Sequence, residues 1–165
     1  MASALTVWKF ETPEGAAQAL EKLTALSKQQ LITIQDAAVV SWPQGKSKPK
    51  TTQMANTTAS GALGGAFWGM LFGLIFFVPF FGLAIGAAMG ALAGHFADYG
   101  IDDSFIKSVR EQVTEGTSAL FLMSANATED KVADAFKGTQ MQLIKSNLTA
   151  EQEAKLNAYV RSWTA

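Results

Sequence analysis

The chain has 165 residues, enough for one compact domain and one appended segment, and its 13 basic and 14 acidic side chains leave a net charge of −1. This near balance gives no indication of nucleic acid or of any strongly charged partner. The absence of cysteine excludes disulfides, thiolate nucleophiles and cysteine-ligated zinc. The first residues lack a basic region followed by an apolar core, so we expect no cleavable secretory signal.

Residues 1–58 predict the first half of an α/β domain. Residues 5–10 alternate between apolar and polar and are rich in β-formers, which predicts a strand. Thr12 as the N-cap and Pro13 at the first helical position begin a helix that ends near Lys28. The residues expected on the buried face of this helix are Ala16, Ala19, Leu20 and Leu23.

The following residues predict an extended region and a protected sheet edge. Residues 31–34 begin an extended stretch, and residues 37–42 predict a second strand. A turn is expected at residues 43–46 and a short edge strand at residues 47–54. Side chains that discourage pairing with the strand of another molecule accompany this edge: Lys46, Lys48, Pro49 and Lys50.

The middle of the chain carries no charge over 47 consecutive residues, 51–97, and all charged side chains lie in its two flanks. Two apolar stretches of 18 residues each, 61–78 and 80–97, are separated by Pro79. As helices, each would be about 27 Å long, just short of a typical bilayer core. This pattern predicts a hydrophobic helical hairpin over residues 59–98.

Glycines recur at every fourth position in both stretches, which places them on one stripe of each helix. No hydrophobic force pairs helices in a bilayer, so a glycine groove promotes association by allowing close backbone approach. We therefore expect the stripes to pack helices within the hairpin and between copies of the chain. The bulky side chains opposite, among them Leu71, Phe72 and Phe76, would face lipid or a neighbouring helix. The glycines are Gly61, Gly65, Gly69, Gly73, Gly82, Gly86, Gly90 and Gly94.

A soluble alternative is a buried helical hairpin inside a large oligomer. We disfavour it because the rest of the chain is too small to cover the 37 apolar residues of 61–97. The predicted turn, residues 76–81, has no polar side chain. It therefore fits a two-pass hairpin, which we slightly prefer, or a monotopic wedge whose tip stays in the bilayer. Both geometries place the two ends of the hairpin on one side of the membrane.

The flanking lysines and arginine identify that side as the cytoplasm, because basic residues concentrate there: Lys46, Lys48, Lys50, Lys107 and Arg110. The predicted localisation is therefore the inner membrane of a cell, with both termini cytoplasmic.

Residues 99–165 predict the second half of the α/β domain. Asp102 or Asp103 caps a helix that continues to about Val113, and a buried strand follows at residues 118–123. Thr149 and Gln152 form a capping box for a last helix. The remaining ranges are a helix at 128–136, a strand at 140–145 and the last helix at 150–162. The order predicts an α+β fold: a split βαβ, ferredoxin-like cytosolic domain with an inserted α-helical hairpin that is transmembrane or membrane-embedded.

Four segments carry a resemblance to a known family. Residues 65–69, 76–82, 97–103 and 117–122 are similar to a bacterial family of predicted membrane proteins of unknown function, in which a glycine-rich hairpin splits an α/β domain. The resemblance covers nearly the whole chain, and its most specific part is 98–103. It implies a bacterial membrane protein and provides no catalytic residues.

Few polar residues suggest a site. His95, the only histidine, lies three positions before Asp98, so the two could form a pH-responsive pair, although a plain interfacial histidine is the simpler interpretation. Lys46, Lys48 and Lys50 could contact lipid headgroups or simply protect the edge strand. One histidine with scattered carboxylates gives no convergent ligand set, so we expect no metal site and no cofactor.

Three functions follow, in order of preference. The first is a homo-oligomeric membrane assembly that scaffolds or shapes the bilayer, with the bilayer and further copies of the chain as its partners. The second is an oligomeric pore with a hydrophobic gate, since no ionisable side chain lies in either stretch before His95. The third, an enzyme, is not expected because the sequence offers no nucleophile, base or phosphate loop. Neither nucleic acid nor a small-molecule substrate is indicated.

Overall fold

A five-stranded antiparallel sheet organises the protein in the computed structural model. The structure describes residues 4–47, 49–53, 71–77, 101, 103–125, 135–136, 139 and 141–164. The elements are β1 (Ala4–Phe10), α1 (Gly15–Lys28), β2 (Thr33–Ser41), β3 (Lys50–Gln53), a π-helical turn (Gly73–Phe77), α2 (Asp103–Gln112), β4 (Ser118–Ala125), β5 (Met141–Ser146) and α3 (Ala150–Thr164).

The strand order is β3-β2-β4-β1-β5. β1 and β2 are both antiparallel to β4, which lies between them, so β1, α1 and β2 form a split βαβ unit. β4 and β5 are likewise both antiparallel to β1, which separates them. The predicted α+β class is therefore confirmed, and the strand order is the one that a split βαβ arrangement requires. β3 adds the predicted edge strand by pairing with β2.

The start of α1 differs from the prediction. The helix begins at Gly15, and Glu14 at its N-cap makes no side-chain hydrogen bond. Ser118, the first residue of the central strand β4, supplies the cap instead. Its Oγ accepts the Ala16 N–H at 2.9 Å and donates to the Thr12 carbonyl at 2.7 Å. Thr12 and Pro13 therefore belong to the turn before the helix. The helix start is therefore capped by Ser118, 102 residues from Ala16 in the sequence, and not by a neighbouring side chain.

Two further predictions differ in extent. The stretches at 31–34 and 37–42 form one strand, β2, whose register shifts between Ile34 and Asp36, as at a β-bulge. The helix predicted at 128–136 falls within the described residues only at 135 and 136, which are helical. The capping box is confirmed: Thr149 N–H donates to Gln152 Oε1 at 3.2 Å, and Gln152 N–H donates to Thr149 Oγ1 at 3.1 Å.

Both faces of the sheet are covered. On one face α1 packs against apolar side chains of β1, β2 and β4, including Trp8, Val39 and Leu122. On the other face, α2 and residues 71–77 pack against Val7, Val40, Phe121 and Met123. β4 is central and buried on both faces, which explains why its sequence is a nearly continuous apolar run.

The predicted transmembrane hairpin has no support from the described residues. Among them, no helix combines the length and the apolar character needed to cross a bilayer. Of the predicted hairpin, 59–98, the structure describes only residues 71–77. These seven residues lie on the sheet of the α/β domain, and we call them the docked segment.

Candidate functional site

The docked segment is the place where the charge-free part of the chain meets the α/β domain. Leu71, Phe72 and Ile75 are almost completely buried, with at most 3% of each residue exposed. The Phe72 ring meets the Phe121 ring of β4 edge to face, with 5.0 Å between centroids and an interplanar angle of 74°. The segment therefore contributes core side chains to the domain.

A second aromatic contact lies at the rim of this interface. The Phe76 ring is perpendicular to the Trp42 ring at a centroid distance of 6.1 Å, and both side chains are half-buried. The Trp42 indole N–H donates to the Lys46 carbonyl at 2.8 Å. Because Trp42 directly follows β2, this contact connects the docked segment to the β2–β3 turn.

Arg110 holds the backbone of the docked segment. Its Nε–H donates to the Ile75 carbonyl oxygen at 3.0 Å, in a partly buried hydrogen bond. A positively charged donor makes a stronger hydrogen bond to a backbone carbonyl than a neutral donor does. α2 therefore contacts the segment through apolar side chains and through this polar contact.

Three bulky residues of the docked segment pack within the α/β domain. Leu71, Phe72 and Phe76 were expected to face lipid or a neighbouring helix, and they pack on the sheet of their own chain. The lipid-facing alternative was therefore wrong for these three residues, because an apolar sheet face and α2 of the same chain offer the same kind of environment as lipid. Nothing in the local sequence distinguishes the two burial sites.

Most of the residues predicted as sites lie outside the described residues. Gly73 is the only described glycine of the two stripes, and a Cβ built on it would meet no atom of the described residues within 4 Å, apart from its chain neighbours and the backbone of its own helix. Lys46 and Lys50 are exposed at the β2–β3 turn and on the edge strand, as predicted. The predicted residues outside the described part are Gly61, Gly65, Gly69, Gly82, Gly86, Gly90, Gly94, Pro79, His95, Asp98 and Lys48.

Buried polar groups in the described part serve the fold. The Asp36 carboxylate, 1% exposed, accepts the Ala37 N–H at 2.9 Å beside the register shift in β2. Ser41 Oγ donates to the Pro13 carbonyl at 2.8 Å. This hydrogen bond, like those of Ser118, fixes the turn that precedes α1. Within the described ranges, no three acidic or histidine side chains cluster as a metal site would need.

Sequence reasoning missed two residues that position these elements. Ser118 was assigned only to a buried strand, and Arg110 only to the basic flank of the apolar segment. A serine inside an otherwise apolar strand was a signal for Ser118, since a buried hydroxyl needs a partner. Arg110 gave no comparable signal, because an arginine in the last turn of a helix is usual.

A comparison with protein families shows the family to which the chain belongs. Residues 62–161 match the family described as "Protein of unknown function (DUF1269)". The chain belongs to this family. The match begins inside the first apolar stretch and includes the docked segment, α2, β4 and β5. Comparisons with curated proteins and with solved structures gave no match.

Proposed function

We propose that this DUF1269 protein is a membrane-attached structural protein that assembles with copies of itself through its charge-free segment and so scaffolds or shapes the bilayer. The observation that carries the proposal is the run of 47 uncharged residues, 51–97, which begins within β3 and ends before α2, two elements of one folded domain. In the proposal, a ferredoxin-like α/β domain lies in the cytoplasm, with both termini, at the inner membrane. The apolar segment enters the bilayer from there.

The topology of the sheet supports an insertion from one side. β1 and β2 precede the charge-free segment and β4 and β5 follow it, yet β4 pairs with both β1 and β2. Both ends of the segment must therefore lie on the same side of any membrane. The predicted hairpin has the same property. A single crossing would place β1 and β2 on the opposite side of the membrane from β4, and these strands could not pair.

The surroundings of Gly73 support assembly. In the docked segment, Leu71, Phe72 and Ile75 occupy the sheet, whereas the position of a Cβ on Gly73 is open. The glycine backbone is thus free for close approach by a second helix. The other glycines of its stripe, Gly61, Gly65 and Gly69, precede Gly73 at intervals of four residues.

The test is the mass of the particle in mild detergent. The native chain should be a homo-oligomer, and Gly73→Leu, Gly69→Leu and Gly86→Leu should each convert it to smaller species by separating the packed backbones. The matched controls Gly73→Ala, Gly69→Ala and Gly86→Ala keep a small side chain and should retain most of the assembly. A strictly monomeric native protein, or an oligomer indifferent to leucine, would refute the proposal.

A pore is the second candidate function, since an oligomer of hairpins can enclose a channel. The absence of ionisable side chains from both stretches before His95 argues against a conducting path lined by polar groups. Ion flux through liposomes that contain the reconstituted oligomer separates the two functions. We expect no flux above that of empty liposomes.

A further inference from the structure

The β2–β3 turn, residues 42–47, has a shape that is fixed by hydrogen bonds to the rest of the domain. The Trp42 N–H donates to the Thr117 carbonyl at 3.0 Å, and the Gly116 N–H donates to the Trp42 carbonyl at 2.6 Å. The Trp42 indole N–H closes the turn on the Lys46 carbonyl at 2.8 Å. Residues 44–47 are exposed, so their side chains lie at a fixed place on the surface of the domain.

Described residues that adjoin the two apolar stretches lie near this turn. β3 follows the turn and ends at Gln53, about 10 Å from Lys50, before the first stretch. Phe77 is the last described residue before the second stretch, and its neighbour Phe76 contacts the Trp42 ring. In the proposed attachment, an apolar stretch that enters the bilayer therefore begins beside the turn, which brings the turn to the bilayer surface.

The position of Lys46 separates its two possible roles. Lys50 is exposed at the start of β3, where protection of the edge strand explains it. Lys46 lies four positions before β3, so it cannot discourage pairing along that strand. Neither lysine forms an ion pair with the residues that the structure describes. The Glu115 carboxylate contacts the turn, but through the Gly45 N–H, which it accepts at 3.3 Å.

The chemistry of these side chains suits a lipid headgroup. A lysine ammonium attracts the phosphate of anionic lipids, and indole rings concentrate at the level of the headgroups because one end of the ring is apolar and the other is polar. Trp42 is half-buried and its apolar ring contacts the docked segment. The turn therefore combines two exposed cations with an amphipathic aromatic ring.

From these observations we infer that the β2–β3 turn binds the phosphate groups of anionic lipids, with Lys46 and Lys50 as the cations and Trp42 at the level of the headgroups. This inference rests on the proposed membrane attachment and specifies which surface of the α/β domain lies on the bilayer. The partner is the headgroup layer of an anionic phospholipid.

The test compares two ends of the domain in this naturally cysteine-free chain. Ser47→Cys, in the turn, and Gln29→Cys, at the far end of α1, each carry a nitroxide label on an exposed position. α1 begins beside Ser118 at the turn end of the sheet and extends about 21 Å away from it. Full-length variants are reconstituted into vesicles with a nickel-chelating lipid in both leaflets, so that the orientation of the protein does not matter.

Nickel should relax the nitroxide at 47 more strongly than that at 29, and more strongly in vesicles of phosphatidylglycerol than in those of phosphatidylcholine. Lys46→Gln and Lys50→Gln should each weaken the contact at 47 by about fivefold. Lys28→Gln removes an exposed charge at the end of α1 and should leave the contact unchanged. Equal relaxation at 47 and 29, or an equal effect of Lys28→Gln, overturns the inference.

Two further measurements separate the sources of phosphate and the two proposals. Inorganic phosphate, added at constant ionic strength, should not reduce the contact at 47, and displacement by it would assign the lysines to free phosphate and overturn the lipid assignment. A native chain that does not float with vesicles refutes the membrane attachment itself. A chain that floats, but whose label at 47 is no nearer to the headgroups than that at 29, overturns only the role of the turn.

Discussion

At the residue scale, single polar groups in the core fix the positions of the helices. Ser118 Oγ is completely buried and makes two hydrogen bonds to the start of α1, which lacks a cap of its own. Arg110 has a corresponding role on the opposite face of the sheet, where its Nε–H donates a hydrogen bond to the Ile75 carbonyl. In both cases one side chain makes hydrogen bonds to backbone atoms of another element and so fixes its position.

Ser118→Ala should lower the free energy of unfolding by about 1–3 kcal/mol, because it leaves the buried Ala16 N–H without an acceptor. Urea unfolding of the full chain in mild detergent, followed by circular dichroism, measures the change. Ser47→Ala removes the same hydroxyl from an exposed position and should stay within roughly 0.5 kcal/mol of the native chain. Equal effects of the two substitutions would show that Ser118 is not a cap.

At the element scale, the docked segment is held by packing and by the hydrogen bond from Arg110. Phe72 and Ile75 fill the sheet face, and the Phe76 ring extends the contact to Trp42. The π-helical turn allows this because its wider turn changes which side chains share a face. The π-helical turn begins at Gly73, the last glycine of the first stripe, so it follows that four-residue repeat and does not interrupt it.

Arg110→Met should loosen the docked segment by about 1 kcal/mol, since it removes the charged donor but keeps most of the side chain's apolar length. Hydrogen exchange with mass spectrometry should show several-fold faster exchange in a peptide that covers residues 71–77. Lys107→Met removes the same charge from an exposed position of α2 and is the control. Unchanged exchange in Arg110→Met would mean that packing alone holds the segment.

At the scale of the whole molecule, the interleaved sheet makes the two halves of the chain interdependent. β1 lies between β4 and β5, so neither of the last two strands contacts the other in the sheet. The family match, 62–161, includes β4 and β5 but not β1. The strand that pairs with both β4 and β5 therefore lies outside the matched region.

Residues 59–165, produced alone, should not fold into a stable sheet because they lack β1 and β2. Addition of residues 1–58 should restore β-sheet circular dichroism and a cooperative urea transition, and the two pieces should co-purify. The intact chain under the same conditions is the reference. A cooperative transition of 59–165 by itself would contradict the interleaved order.

Local sequence was sufficient for most elements of the domain. Alternation in β1 and β5, the turn at 43–46, the lysine-protected edge strand and the capping box at Thr149 all depend on residues within a few positions of one another. The buried character of β4 was readable from its apolar run. In the first half of the chain these features also indicated the βαβ order, because β1, α1 and β2 follow one another there.

The tertiary structure determined the features that depend on contacts between residues far apart in the sequence. The start of α1 depends on Ser118, 102 residues away, and the placement of Phe72 depends on an aromatic ring of the central strand. Apolar patterning determines that residues 71–77 must leave water, because removal of apolar surface from water is favourable whatever replaces it. It does not determine whether lipid or a sheet face takes them in, since the two environments are almost equally apolar. Only the folded sheet, whose face beside α2 accommodates Leu71, Phe72 and Ile75, determines that they are buried there.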